Sequence, residues 1–311
     1  MTGNINHKYG SIRKPGDLLK VPGYSPKVDF SESSGRRVVE MLDGYEFSKE
    51  DEYPCGIKAC ATKHQFGYLI KTSDGIYTNI GNRCGKKHLD LDFDRVKKEY
   101  KSKRKAFDNA NALADIRSSF DKIESRIRML ELAAVTFKRF RSYLYEGVRS
   151  QLLEATSLAK AGQREVFRTR RMSKREASIH YEITKTSSKD YDKRRPTVEE
   201  VVCRISGGRI LKDSLEDLVR IEIREPLKNL IDLSDFSFSV LTDKELESLS
   251  LASNKAVRAI SSGEQLMSDG LVFYGEENLS NFSVMGADKD IMLSITSKIS
   301  NELREVFSIA E

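Results

Sequence analysis

Hydrophobic and polar positions alternate differently in successive stretches of this chain, and each change of period marks a change of element. Residues 1–50 carry little periodicity, and Pro15-Gly16, Pro22-Gly23 and Pro26 interrupt any regular element. This stretch reads as an extended N-terminal arm that packs on something else, with a short helix or strand at Arg36–Leu42. Gly67–Thr72 and Ile76–Ile80 are short, β-branched and aromatic-rich, and Ser73-Asp74-Gly75 between them is a turn signal. Together they predict a β-hairpin. From Ile116 the period becomes helical: Ile116, Phe120, Ile123, Ile127, Leu130, Ala134 and Phe137 alternate spacings of four and three, the heptad pattern of a coiled-coil seam. The register then slips to Phe140, Leu144, Val148 and Leu152, a stutter that alters supercoiling.

One continuous helix from Phe93 to Ala161, stopped by Gly162, would be roughly 100 Å long at ~1.5 Å per residue. Gly147 is its candidate break. So long a helix needs a partner along its seam, either a second copy or the C-terminal region, and self-association is the preferred reading. Beyond it, residues 172–196 are polar and read as a linker through Ser187-Ser188-Lys189 and Lys193-Arg194-Arg195-Pro196. Thr197 with Glu200 forms a capping box before a helix over Val198–Ile205, and Thr242 with Glu245 opens another over Asp243–Ile260. Further helices are expected at Leu215–Leu230, interrupted by Pro226, and from Ala287 to Ile309, and a short strand at Gly270–Tyr274. The expected fold is mostly α with a small α+β module. Its parts are an arm (1–50), a zinc-binding module (51–94), a long basic helix or coiled coil (95–171), a linker (172–196) and an acidic α-rich domain (197–311).

Composition narrows the class. The chain has 311 residues, 39% hydrophobic and 32% charged, with no tryptophan, which suits exposed helices better than one large core. No apolar run approaches the roughly 18–20 residues that span a bilayer, and the N-terminal stretch has no apolar segment of the signal-peptide kind. Four cysteines, three of them clustered with histidines, point to metal in a reducing compartment rather than to a disulfide framework. A cytoplasmic setting is expected.

Charge is unevenly spread. Residues 201–311 hold 12 basic and 19 acidic side chains, whereas residues 1–200 hold 41 and 28. Two basic runs dominate, Arg95–Lys105 and Arg164–Arg175. Lys97, Lys98, Lys101, Arg104 and Lys105 in the first, and Arg168, Arg170 and Arg171 in the second, are the candidate phosphate contacts. A solvated helix face and an internal contact with the acidic back are the competing explanations. Tyr100, Tyr143 and Tyr145 are either helix-packing residues, the preferred reading, or stacking platforms for bases. Cys203 reads as a buried thiol.

The candidate chemistry lies between Cys55 and His88, spaced Cys-x4-Cys-x23-Cys-x3-His around the predicted hairpin. Three thiolates and an imidazole at paired spacings are the ligand set of a closed four-coordinate zinc site. Cys55, Cys60, Cys84 and His88 are the expected ligands. His64, four residues after Cys60, is an alternative that would replace Cys55. Arg83, Lys86 and Lys87 stand beside the second pair and could offset its charge or donate from their backbones to the sulfurs.

A knuckle, a hairpin and a helix whose first turn supplies the last two ligands resembles the treble-clef family of zinc modules, over about 40 residues. That family usually spaces its first pair by two residues rather than four. The stretch from His64 to His88 also resembles segments of bacterial and phage proteins that carry no assigned activity. A different chemistry uses the same residues: His64, Asn79 or Asn82, and His88 follow the order of a ββα-metal nuclease, although flanking thiolates select zinc over hard Mg²⁺. Asp90, Asp92 and Asp94 could bind a divalent ion, but helix-start electrostatics explain them better. No phosphate-loop, dinucleotide-binding, zinc-protease or nucleophile-elbow motif occurs. The expected function is non-enzymatic: zinc-dependent nucleic-acid binding, DNA or RNA, in a bacterial or phage setting and away from membranes. The alternative is a protein-interaction or assembly factor working through the helical seam and acidic domain.

Overall fold

The computed structural model describes residues 9–184, 195–234 and 240–308. The chain forms two compact units, Met1–Ala114 with Ser237–Ser250, and Asp115–Phe236 with Leu251–Glu311.

The first unit is built on a small sheet. After a short helix α1 (Pro15–Leu19) come five strands: β1 (Val38–Glu46), β2 (Tyr53–Pro54), β3 (Lys63–His64), β4 (Phe66–Thr72) and β5 (Tyr77–Gly81). β1, β4 and β5 form an antiparallel sheet in that order, and β2 pairs with β3. The β4–β5 hairpin closes where its turn chemistry places it. Gly75 takes the positive φ of 83°, and the Thr72 hydroxyl donates to Asp74 and accepts from the Ile76 N–H. Because side chains alternate across a strand, Leu69 and Tyr77 face one core with Ile12, Leu18, Tyr45 and Phe47. Ile70 and Ile80 face another with Val38, Met41, Phe93, Val96 and three cysteines. The helix α2 (Asn82–Ser118) follows β5 directly and is interrupted at Asp90, which takes φ 38° and ψ −115°.

The second unit is organised around α3 (Phe120–Lys160). Its buried positions Ile123, Ile127, Leu130, Phe137, Phe140, Leu144 and Leu152 are those of the expected seam. Then come β6 (Glu165–Arg171), α4 (Lys174–Thr184), β7 (Thr197–Arg204), the short helices α5 (Arg209–Lys212) and α6 (Leu215–Asp217), a π-helical stretch Leu218–Arg224, and α7 (Glu225–Ile231). Among the described residues three further helices follow, α8 (Asp243–Phe273), α9 (Glu276–Val284) and α10 (Lys289–Ser308). The seam is covered from within the unit. Phe137 stacks on Tyr274 at 5.3 Å between ring centroids, the Tyr274 hydroxyl donates to the Phe137 carbonyl, and α5, α6 and α10 pack along α3.

Several expectations change. The stretch 1–50 is no free arm where it is described: α1 and β1 are core elements, and Asp43 of β1 anchors Gly10, Ser11 and Ile12 through their N–H groups. Residues 1–8 lie outside the described residues. The long helix is two helices parted at Ser119. α3 departs from helical geometry at Val148, beside the glycine expected to break it. The run Arg164–Arg175 is mostly strand. Val198–Ile205 is not a helix, because β7 pairs with β6 from Arg171↔Thr197 to Glu165↔Arg204. Gly270–Phe273 ends α8 rather than forming a strand. The linker contains α4, and its signals at Ser187–Lys189 and Lys193-Arg194 fall outside the described residues, as does Ile309. Residues 95–171 are no single domain, since the first unit ends at Ala114. Among the described residues no helix is long and apolar enough to cross a membrane.

Candidate metal centre

Cys55 directly follows the short strand β2, Cys60 lies in the loop back to β3, and Cys84 sits in the first turn of α2. Their sulfurs lie within 4.8 Å of one another, and those of Cys60 and Cys84 are 3.6 Å apart. All three residues are buried. The loop is held hard against β5: the Gly56 N–H donates to the Asn79 carbonyl at 2.8 Å, and a β-carbon on Gly56 would fall 2.0 Å from the Thr78 hydroxyl oxygen. Only glycine fits there. Lys27 closes the loop from outside, its ammonium donating to the carbonyls of Cys55 (2.7 Å), Cys60 (2.8 Å) and Ile57 (3.4 Å).

The sulfurs are also addressed by backbone donors. Burial raises the Cys55 thiol, while the N–H groups of Ile57 and Gly81 pull it back down. Burial alone would raise Cys60 too, but hydrogen bonds from the Thr62 hydroxyl and N–H, and from the neighbouring thiols, bring it below its ordinary value. Cys84 is pushed up to about 12, first by burial and then by its hydrogen bond to Cys60. One sulfur thus carries charge most easily while the others resist it. Three thiolates this close repel one another and are poorly solvated. A cation among them removes both penalties, so the cluster can hold a metal ion. The donors come from Ile57, Thr62 and Gly81. Arg83, Lys86 and Lys87 are exposed beside the cluster.

Neither histidine falls within the 4.8 Å group. His88 is exposed on α2, two residues before the break at Asp90. His64 is half-buried on β3, and burial lowers its pKa so that the ring is neutral near pH 7. Its Nδ1 lies 3.2 Å from the Tyr45 hydroxyl, while its Nε2 is buried without a hydrogen-bond partner. An open cleft of about 390 Å³ is lined by His64, Cys84, Lys63, Phe66, Asn82 and Arg83, among others. Of the two asparagines of the nuclease layout, Asn79 is fully buried, its amide donating to Tyr45 and to the Pro54 carbonyl while its oxygen accepts from Tyr24, whereas Asn82 is exposed and lines the cleft with His64.

The candidate phosphate contacts fall into two groups. Arg168 pairs with Glu154, and Arg170 with Glu176 and Glu200. Lys105 pairs with Glu247 and Arg104 with Asp108. Those charges are largely answered within their own units. Lys98, Lys101 and Arg171 are exposed. Lys97 lies over the rings of Tyr68 and Phe93 and donates to Asn82. Its pKa is lowered, by burial first and then by Lys101 and Lys86, against the opposing pull of Asp94. Tyr100 is a packing residue, buried with edge-on contacts to Tyr9 and Tyr68, and Tyr143 donates to Glu302. Tyr145 is exposed beneath the Arg149 guanidinium. Cys203 is only half-buried.

The residues that sequence reasoning passed over are Lys27, Gly56, Thr62 and Gly81. Gly56, beside the first ligand, was the one legible signal, because a glycine inside a ligand loop marks a close backbone approach. No protein family, curated protein or solved structure matches the chain.

Proposed function

We propose that this chain is a zinc-stabilised nucleic-acid-binding protein with no catalytic step of its own. The observation that carries the binding half is the gathering of Lys86, Lys97 and Lys101, with Lys98 and Arg83 exposed nearby, on the helix that begins inside the thiol cluster. Like charges brought together on one face cost free energy unless a polyanion offsets them. A polyphosphate backbone is the ligand that best rewards such a row. The thiol module fixes where the row begins.

Zinc is supported by the donor set and by the 3.6 Å between the Cys60 and Cys84 sulfurs. With Zn–S bonds of ~2.3 Å, a tetrahedral edge is about 3.8 Å. Free buried thiols suit a reducing cytoplasm, and the resemblance of the hairpin stretch favours a bacterial or phage setting. Metal analysis of protein purified without chelator should give one zinc per chain; less than half an equivalent removes this half of the reading.

Binding is tested by titrating labelled duplex and single strands at several salt concentrations. The log–log slope should be near −0.9 per phosphate contacted on duplex and near −0.7 on single strands. Replacing Lys86, Lys98 and Lys101 together by Gln should flatten it. No binding by the intact protein at ~50 mM salt would leave the alternative of a protein-assembly factor. That reading is favoured by Phe167 and Val201, which face each other across β6 and β7 at 45% and 44% exposure, and by Ile183 at 76%.

A further inference from the structure

We infer that His64, through Nε2, is the fourth ligand of the metal centre formed by Cys55, Cys60 and Cys84. The assignment rests on the zinc reading above and replaces His88 in the expected ligand set.

Three thiolates leave a tetrahedral ion one donor short. His88 is exposed and, like His64, lies outside the 4.8 Å sulfur group. His64 is placed differently. Its ring lies against Gly81, where a β-carbon would come within 2.6 Å of the ring Cδ2, and the N–H of that same glycine reaches the Cys55 sulfur. The imidazole is therefore one residue removed from a contact to the cluster. Strand pairing brings it there, because Tyr53↔His64 and Pro54↔Lys63 fold β3 back beside β2, the strand that immediately precedes Cys55.

The two ring nitrogens have unequal surroundings. Nδ1 is met by the Tyr45 hydroxyl at 3.2 Å, Tyr45 accepts from the Asn79 amide at 3.2 Å, and Asn79 is fixed by Pro54 and Tyr24. A ligating histidine is usually oriented in this way, through the nitrogen that does not touch the metal. Nε2 is buried with no hydrogen-bond partner. A buried polar atom left without a partner carries a desolvation cost that nothing offsets. A metal ion is a partner for that lone pair once the ring proton resides on Nδ1 and is donated to the Tyr45 oxygen. Because His64 lies outside the 4.8 Å thiol group, ligation moves the ring toward Cys84 across the cleft that both residues line.

Cobalt(II) provides the test in the full-length chain, since its visible bands report the number of thiolates and the geometry, and competition with a chromophoric chelator gives the zinc affinity. The wild type should show a tetrahedral three-thiolate spectrum. His64→Ala should weaken zinc by more than the 10–100-fold typical of losing an outer hydrogen-bond partner, and change the cobalt bands. His88→Ala should leave both unchanged. His64→Cys should shift the bands to those of a four-thiolate site, a gain that a misfolded variant cannot mimic. Loss of affinity in His88→Ala with His64→Ala unaffected would overturn the assignment. So would unchanged behaviour of both variants, which would put water in the fourth position. Failure of the wild type to bind either metal would overturn the zinc reading itself and the assignment with it.

Discussion

In the first unit the buried residues mix apolar side chains with three thiols and the directed polar groups of Asp43, Thr72, Thr78 and Asn79, whereas the second unit buries a continuous row of Leu, Ile and Phe along α3 with Tyr274 stacked on it, beside the buried polar side chains of Thr136, Thr156, Ser253 and Asn278. Two different kinds of specification follow. In the first unit, position is set by directed contacts: Lys27 on three carbonyls, Asp43 on three N–H groups, Asn79 between three partners. Such contacts are worth little net when made and cost much when broken. In the second unit, position is set mainly by volume. The buried Thr156 hydroxyl there returns to its own helix at the Leu152 carbonyl, while Asn278 makes directed contacts of the first kind, accepting from the Ser206 N–H and donating to the Phe273 carbonyl. The first unit should therefore respond to agents that change charge and ligation, and the second to agents that change packing.

Metal removal breaks the comparison most sharply. Structural zinc contributes apparent free energies of about 10–16 kcal/mol to small folded modules near pH 7, far more than the hydrogen bonds of Lys27 and Gly56 that also hold the loop of Cys55 and Cys60. A strong chelator should abolish the thermal transition of the first unit and leave that of the second in place. Circular dichroism should then retain most of its helical signal. A single transition that moves as a whole, or none that moves, would show that the two units are not separately specified.

Cavity creation in the second unit is next. Phe140 is fully buried, with its ring 5.3 Å from that of Tyr274. Phe140→Ala should cost about 3–5 kcal/mol and lower only the chelator-resistant transition. Because the seam is covered within the unit, light scattering should give the same mass for this variant as for the wild type. A change of mass would mean that the seam also serves a second copy.

How much of this was legible in the sequence differs between the units for the same reason. The seam of α3 was readable because its partner faces are many and its period is local. The Thr242–Glu245 capping box is present as expected, with reciprocal hydrogen bonds. The β4–β5 hairpin was readable because its turn residues dictate its register. The strand β1 was legible only in part, as a helix or strand at Arg36–Leu42: its partner β4 lies 20 residues on, and a buried aspartate at its centre reads as a solvent position. β7 was misread because Thr197 and Glu200 mimic a helix start, while Glu200 is in fact the cross-strand partner of Arg168 and an ion pair to Arg170. Of the candidate centre, the three cysteines were legible from their spacing. The place of His88 was not, since a helical period of four predicts a shared face only where the helix axis points at the metal.

Asp43 offers a third way to separate the units. Its fully buried carboxylate accepts from the N–H groups of Gly10 and Ser11, both at 2.9 Å, and of Ile12 at 3.3 Å. Asp43→Ala would strand those donors and should cost about 1–3 kcal/mol, all of it in the chelator-sensitive transition. Asp43→Asn keeps one acceptor and should recover part of the loss. Equal melting of all three proteins would show that residues 9–12 contribute nothing to the first unit.

The smallest effect concerns charge in the unit governed by volume. Arg224 forks onto Glu124 and Glu131, and Arg126 onto Glu264. Hydrogen bonds from Arg224 hold the Glu124 carboxyl below its ordinary value, and that from Arg126 does the same for Glu264. A carboxyl whose folded pKa is depressed stabilises the protein above its unfolded value, near 4.3. That contribution is lost as pH falls through the folded value. Because these pairs are partly exposed, each should contribute only about 0.2–1 kcal/mol. The chelator-resistant transition should therefore fall slightly more steeply below pH ~4.3 in the wild type than in Arg224→Met. At pH 7 that variant should already melt lower by at most about 2–4 °C. Identical pH profiles for the two proteins would mean that apolar volume alone specifies the second unit.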